Sequence, residues 1–391
     1  MSAATVLAPP PSATAAREAF RAFADTHVVP YAAAWDQAGA IPRETLEKTA
    51  AEGYFGAVVP VEHGGTGGGW VAFSELHEEI GRGCSSLRSL LTVHSMALYA
   101  LERWGSAAAR QRLLAPMVAG ELRGAFCLTE EGAGSDIAAL RTTARRVEGG
   151  YVLDGRKLWS TGGQCADVLL VFARAERGVS AFVVEADRPG VRREPVHDML
   201  GTRASMLAEF TFADCRVEDS ALIGAEGFGL TLAAATLDVG RLSVGSGSVG
   251  IVQACLESSA RHAAARVQGG GPIAGHQAVA RMIALMAVDA EAARLLIREA
   301  ARLKDAGDPA TLAATFRAKY HASTAAMRAA LDTVQIHGAG GCAAGADPAR
   351  LFRDAKVMEI IEGSTQILEP FIAQDAVARF APAAPGDRRT A

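Results

Sequence analysis

The sequence predicts an α+β protein: an N-terminal helical domain, a middle β-barrel or sandwich, and a C-terminal four-helix bundle. Three observations predict it. Residues 13–122 are rich in Ala, Leu, Glu and Arg, with apolar positions at helical spacing such as Leu87, Leu90, Leu91, Leu98 and Leu101. Residues 123–228 break into short β-type runs separated by turns. Residues 229–380 return to helical texture and keep it. Helices and strands segregated in this way argue for separate layers or domains rather than an alternating parallel sheet. A chain of 391 residues also exceeds what one hydrophobic core usually supports.

The two ends fall outside these domains. Residues 1–12, with Pro9-Pro10-Pro11, are expected to be disordered, and residues 381–391 to form a flexible tail. Inside the first helical region, Gly64-Gly65-Thr66-Gly67-Gly68-Gly69 reads as a loop. In the middle region the strand runs include Tyr151-Val152-Leu153, Asp167 through Phe172, Ser180 through Val184 and Ala208 through Phe212. Asp154-Gly155 and Asp187-Arg188-Pro189-Gly190 supply turn chemistry, and the spacing suggests a small antiparallel barrel or sandwich. The last region divides into helical stretches at 229–265, 275–304, 309–337 and 363–380, a bundle pattern. Gly240, Gly245, Gly247 and Gly250 would weaken an isolated helix, so they fit close approach by another helix or a cofactor.

Composition removes several function classes. Net charge is -4 and the sequence pI is near 6.2, with Arg spread along the chain, so neither nucleic acid nor an anionic membrane surface is an expected partner. Lys occurs only at positions 48, 157, 304, 319 and 356, which reads as a coding bias. Cys84, Cys127, Cys165, Cys215, Cys255 and Cys342 are far apart and in no metal-ligand spacing. Buried free thiols are expected, with no metal and no disulfide framework. The first 16 residues lack a basic start, and no run of about 18 apolar residues occurs. A cytoplasmic protein without membrane insertion is the expectation.

Three segments carry candidate chemistry. In Phe126-Cys127-Leu128-Thr129-Glu130-Glu131-Gly132-Ala133-Gly134-Ser135-Asp136, glycines would let backbone approach a ligand while Thr129 and Ser135 offer hydroxyls. A tight turn explains the glycines equally well. In Lys157-Leu158-Trp159-Ser160-Thr161-Gly162-Gly163, Trp159 could cover an aromatic ring system and Thr161 could bond its edge, or Trp159 could simply pack the core. In the run from Leu351 to Gln366, Glu362 follows two apolar residues and precedes Gly363-Ser364-Thr365. A desolvated carboxylate there would gain basicity. An acid at a helix N-terminus beside a glycine break is the plainer alternative.

Taken together and in this order, the three segments resemble the acyl-CoA dehydrogenase superfamily, from about residue 15 to about 380. Gly201-Thr202-Arg203-Ala204-Ser205, Gly224 through Gly229, Arg241, Arg266 through Gln277, Gln335 through Gly341 and Arg353-Asp354-Ala355-Lys356 add to the likeness. The resemblance implies FAD between the β-domain and the bundle, with its ADP part reaching a neighbouring subunit of a homodimer or homotetramer. It implies that Phe126, Leu128, Thr129, Gly134, Ser135, Trp159, Ser160 and Thr161 surround the flavin. Arg266, Gln268, Gln277, Gln335, Ile336 and Gly338 would hold FAD across subunits, and Gly363, Ser364 and Gln366 would also touch it. Ser135, Asp238, Arg241 and Gly363 would line the thioester site. Glu362 would be the catalytic base, its own N–H and a flavin ribityl hydroxyl steadying the enolate oxygen, and flavin N5 taking the β-hydride. The chain departs from the family pattern at Gly162, at Gly269-Gly270, at Ile361 and at Ala339.

The stretch from Cys84 to Met96 looks like a sub-branch that oxidises short polar acyl groups on an acyl carrier protein for polyketide extender units, such as hydroxy- or methoxymalonyl. His94 would meet such a substrate or be an ordinary satisfied helix histidine. The competing expectations are an acyl-CoA dehydrogenase of fatty or branched-chain catabolism and a non-catalytic relative that binds flavin or acyl thioester. An electron-transfer flavoprotein or oxygen would accept the electrons.

Overall fold

The computed structural model describes residues 13–380, so both expected tails lie outside the described residues. The N-terminal domain comprises α1 (Ala13–His27), α2 (Ala32–Ala38), α3 (Arg43–Ala51), α4 (Gly69–Gly83), α5 (Ser85–Trp104) and α6 (Ala107–Val118). The glycine-rich run is a loop, as expected, and α4 begins on its last glycine. Both α4 and α5 are buried on nearly every side, polar residues included. Buried carboxylates need partners, and α4 has them. Glu78 pairs with Arg17 at 2.6 Å and Arg294 at 2.9 Å, and Glu75 with Arg298 at 2.8 Å.

Eight strands form the middle domain: β1 (Gly124–Cys127), β2 (Thr143–Val147), β3 (Gly150–Ser160), β4 (Val168–Ala175), β5 (Gly178–Glu185), β6 (Val191–Pro195), β7 (Ala208–Glu218) and β8 (Leu222–Ile223). The sheet order is β6-β7-β3-β2-β4-β5-β8, with β1 added on β4. It is not wholly antiparallel: β1 and β2 each pair with β4 in parallel. Parallel pairing needs a long crossover, and the connection leaving β1 provides one. Asp154-Gly155 is not a turn either. It lies inside β3, where the register slips between Leu153 and Gly155. A side chain on Gly155 would strike Thr142, which accounts for the glycine. Asp187-Arg188-Pro189-Gly190 does connect two strands, β5 and β6.

The last domain contains α7 (Gly229–Ala265), a hairpin of β9 (Val267–Gln268) and β10 (Gly271–Pro272), then α8 (Gln277–Asp305), α9 (Thr311–His337), α10 (Asp347–Met358) and α11 (Thr365–Phe380). The four expected stretches match α7, α8, α9 and α11. Helix α10 was not expected: the Gly- and Ala-rich segment 338–346 hides its start, where Pro348 occupies the first turn.

Two devices bring the domains together around one space. Helix α5 runs antiparallel to α7, with Arg88, Thr92 and Met96 facing Gly247, Ser243 and Gly240 in turn. The spacing of four on α5 makes that stripe continuous. On the other side, the Gly201–Ser205 segment docks on α10. Thr202 donates its N–H to the buried Asp354 at 2.6 Å, and Arg353 pairs with Asp36 of α2. The Arg353-Asp354 segment is thus a clamp joining all three domains just ahead of Glu362.

Candidate active site

The first two motifs meet at the end of β3. Leu158 N–H donates to the Thr129 carbonyl at 2.9 Å. Beneath them, buried Lys157 donates to Glu130 at 2.6 Å and to the Leu128 carbonyl at 3.0 Å. Glu130 also accepts the N–H groups of Arg141 and Thr142. This network fixes the Thr129–Asp136 loop from behind and leaves its outer side open. A Cβ built on Gly132 or Gly134 meets nothing, and Ser135 is exposed. Trp159 does not pack the core. It is half exposed and left-handed at φ 56°. An indole held outside the core in a strained conformation beside an open glycine loop fits a planar ring ligand such as a flavin. Gly162 is left-handed too, at φ 68°, a conformation that Asn also tolerates. Phe126 is partly buried against Phe172, and Leu128 is buried. The Ser160 hydroxyl points inward to Cys127 Sγ at 3.3 Å.

Glu362 sits in the turn between α10 and α11, also left-handed at φ 56°. It therefore lies outside a helix proper, three residues ahead of α11. The turn keeps some exposed surface, but Glu362 Oε2 is out of solvent and has no hydrogen-bond partner. Burial pushes its carboxyl up to about 7, against the downward pull of Arg241, Arg88 and Lys319. Its backbone N–H finds no acceptor among the described residues. An uncompensated carboxylate oxygen beside a free N–H is an arrangement a substrate would complete.

Gly240 of α7 is what makes room for the carboxylate. A Cβ there would lie 2.5 Å from the Glu362 carboxyl carbon and 3.0 Å from Met96 Sδ. Gly240→Ala is expected to displace the carboxylate and slow flavin reduction about 10²-fold while flavin content stays native. Stopped-flow flavin absorbance on the purified holoprotein checks this, and an undiminished rate would refute it.

Arg241 donates from Nε to the Glu362 carbonyl at 3.1 Å, and its guanidinium lies 4.7 Å over the Phe316 ring. Asp238 pairs with Lys304 at the edge of the same space. Gly363 is left-handed at φ 94°, with its carbonyl held by Lys319 at 2.8 Å. Ser364 accepts the N–H groups of Ile367 and Leu368 through its carbonyl, starting α11, and Gln366 is exposed.

Sequence reasoning passed over Arg88 as one letter in a longer stretch. It is fully buried, and among the described residues it makes no ion pair. Its guanidinium reaches Thr92 Oγ1 at 3.0 Å, Ser89 Oγ at 2.8 Å and Met358 Sδ at 3.3 Å, while Nε has no partner. Burial pulls its pKa down to about 10, and Glu362 is the first carboxylate opposing that. His94 faces the other way. Its Nδ1 accepts from Gly124 N–H at 3.0 Å, its ring meets Phe55 edge-on, and burial pushes its pKa down to about 4. It is a buried core histidine, anchored through Nδ1 while Nε2 has no partner among the described residues, six residues along α5 from Arg88 and on another face.

The remaining expected cofactor residues gather elsewhere. Arg266, Gln268 and Gln277 are exposed at the end of the bundle that carries the β9–β10 hairpin. Gly269 and Gly270, both left-handed, form its two-residue turn. Gln335 and Gly338 are exposed at the same end, which the stacked His262 and His337 rings identify, whereas Ile336 is buried in the bundle core. Within one chain these residues stand apart from Glu362.

Fold and site together define a flavin-dependent dehydrogenase of acyl thioesters. The chain belongs to the acyl-CoA dehydrogenase family: its N-terminal, middle and C-terminal domains match residues 10–121, 125–215 and 227–377. It is 37% identical to the mitochondrial short-chain specific acyl-CoA dehydrogenase of Rattus norvegicus, over 91% of this chain and 88% of that one. The structure of a glutaryl-coenzyme A dehydrogenase in complex with glutaryl-CoA matches at TM-score 0.90 and 34% identity, covering 94% of this chain and 95% of the other. FkbI, for biosynthesis of the methoxymalonyl extender unit of the Fk520 polyketide, matches at TM-score 0.85 and 36% identity, covering 93% and 99%. The protein is an FAD-dependent dehydrogenase. No described helix is long and apolar enough to cross a membrane, and no cluster of metal-ligating side chains occurs among the described residues.

Proposed function

We propose that this protein dehydrogenates a short, polar acyl group carried as a thioester on an acyl carrier protein, with Glu362 removing the α-proton. Bound FAD would supply the acceptor for the β-hydride at N5. Thr129, Ser135, Trp159 and Thr161 would hold the ring, with Gly363, Ser364 and Gln366 on the bundle side. Arg266, Gln268, Gln277, Gln335 and Gly338 would serve the FAD of a neighbouring subunit in a homodimer or homotetramer. The free Glu362 N–H would donate to the enolate oxygen, worth on the order of 10²–10³-fold. Arg241 and Asp238 would meet the carrier arm.

Arg88 is the observation that carries the substrate class. A buried guanidinium with only hydroxyl and thioether partners is costly to fold around. A hydrocarbon acyl tail would leave that cost in place. A hydroxyl or carboxylate at the tail would offset it. The likeness to the prolyl acyl carrier protein oxidase AnaB supports a carrier protein rather than free coenzyme A, the likeness to FkbI supports an extender-unit acyl group, and short- and glutaryl-type relatives support a short one. An electron-transfer flavoprotein or oxygen would reoxidise the flavin in the cytoplasm.

Anaerobic flavin bleaching separates the readings. Purified holoprotein mixed with glyceryl-carrier protein, glutaryl-CoA and straight-chain acyl-CoAs is expected to bleach fastest with the polar, carrier-bound group. Bleaching confined to medium-chain acyl-CoA would overturn the proposal in favour of a catabolic enzyme. A colourless protein would favour a non-catalytic relative.

A further inference from the structure

We infer that Lys319 is a positioning residue for the base: its buried ammonium, by donating to the Gly363 carbonyl, locks the turn that presents Glu362 to the substrate. The inference rests on the reading of Glu362 as the base. Two consecutive residues of this turn, Glu362 and Gly363, are left-handed at φ 56° and 94°. For a residue with a Cβ that conformation costs of order 1–3 kcal/mol unless its surroundings enforce it. The enforcement is visible: each of the two carbonyls is held by a different cation. Arg241 of α7 takes the Glu362 carbonyl at 3.1 Å, and Lys319 of α9 takes the Gly363 carbonyl at 2.8 Å.

Lys319 has no exposed surface and, among the described residues, no carboxylate in ion-pair contact. Among the described residues, the ammonium's one hydrogen bond is the one to the Gly363 carbonyl. An ammonium spent on a single main-chain carbonyl is a poor contributor to stability. It makes sense as a fixed charge beside a carboxylate that must be ionised to work. Burial pushes the Lys319 ammonium down to about 8, and Glu362 is the first group resisting that fall. Helix α7 accommodates the lysine through Gly245, where a Cβ would come 3.3 Å from the Lys319 Cα.

The charged groups facing Glu362 come from three elements. They are Arg88 on α5, Arg241 on α7 and Lys319 on α9, each lowering its pKa. Glu359, at the end of α10, and Asp238 on α7 act one step removed, on Lys319 and Arg241 respectively. Arg241 and Arg88 have other tasks on this geometry, the first against Phe316 and the carrier arm, the second at the acyl tail. Lys319 is the cation assigned to the turn alone.

The test uses flavin-loaded full-length protein and reads Glu362 directly. Infrared difference spectra across pH follow the protonated-carboxyl band that Glu362→Gln abolishes. In Lys319→Met the midpoint of that band is expected to rise by about one pH unit, tenfold in proton affinity. In Lys319→Arg, which keeps the charge, it should stay near its native value. Lys319→Gln, which can still donate to the carbonyl, should shift the midpoint in the same direction as Lys319→Met while retaining more of the native flavin-reduction rate. An unmoved midpoint in both Lys319→Met and Lys319→Gln, with only a lowered melting temperature, would overturn the positioning role. If Lys319→Met fails to fold, the Lys319→Gln midpoint decides alone. An active Glu362→Gln protein would instead sink the base assignment, a separate failure.

Discussion

Glu362→Gln is expected to retain bound FAD and to lose about 10²–10⁴-fold in the rate of flavin reduction, the usual worth of a general base. The amide keeps the volume and the left-handed turn, so a loss would report chemistry rather than folding. The prediction has a pH counterpart. The base must be ionised, and burial holds its carboxyl up at about 7. The rate should therefore fall as pH drops through about 7, and flatten above it. An ordinary exposed glutamate would place that limb near 4.5, the value from which this one is raised. Stopped-flow reduction measured from pH 5 to 9 distinguishes the two, and a limb near 4.5 would mean that Glu362 is solvated in the working enzyme.

Arg88→Met is expected to move stability and activity in opposite directions. Met fills much of the same space without a charge, and keeping a charge buried without an ionic partner is costly. The melting temperature should rise. Flavin reduction by a polar or anionic acyl thioester should fall about 30- to 5,000-fold, following the roughly 2–5 kcal/mol that loss of a buried charge partner costs. Reduction by a plain alkyl acyl thioester should be preserved. A variant that loses stability and keeps its preference for polar acyl groups would show that Arg88 serves the α5–α7 contact instead. Gly247 leaves that possibility a clear physical meaning, because a Cβ there would lie 2.8 Å from the Arg88 Cδ and Nε.

Much of this architecture was legible before any coordinates. The change of texture near Gly124 and Gly229 coincides with the first strand and the first bundle helix. The helical stretches of the bundle came within a few residues of α7, α8 and α9, because their apolar repeats are long and regular. Helix α10 escaped notice because glycine and alanine ahead of it carry no periodic signal. Asp154-Gly155 misled for a different reason: a dipeptide that suits a turn also suits a bulge, and only the partner strand decides which. His94 and Arg88 show the same limit on one helix. Six residues apart, both are polar letters in an apolar stretch, yet one is anchored to Gly124 in the core and the other is left facing Glu362.

By itself the sequence determined the order of domains, the three candidate motifs and the carboxylate proposed as the base. Those are properties of local pattern, set by residues close together in the chain. The tertiary structure alone decided that Glu362 has the makings of a base. Its room comes from Gly240, its turn is pinned by Arg241 and Lys319, and Arg88 faces it from α5. A carboxyl group's proton affinity depends on desolvation and on charges a few ångströms away. Here those charges come from positions 121 and 43 residues distant, and further still on α5, a distance over which sequence periodicity carries no information.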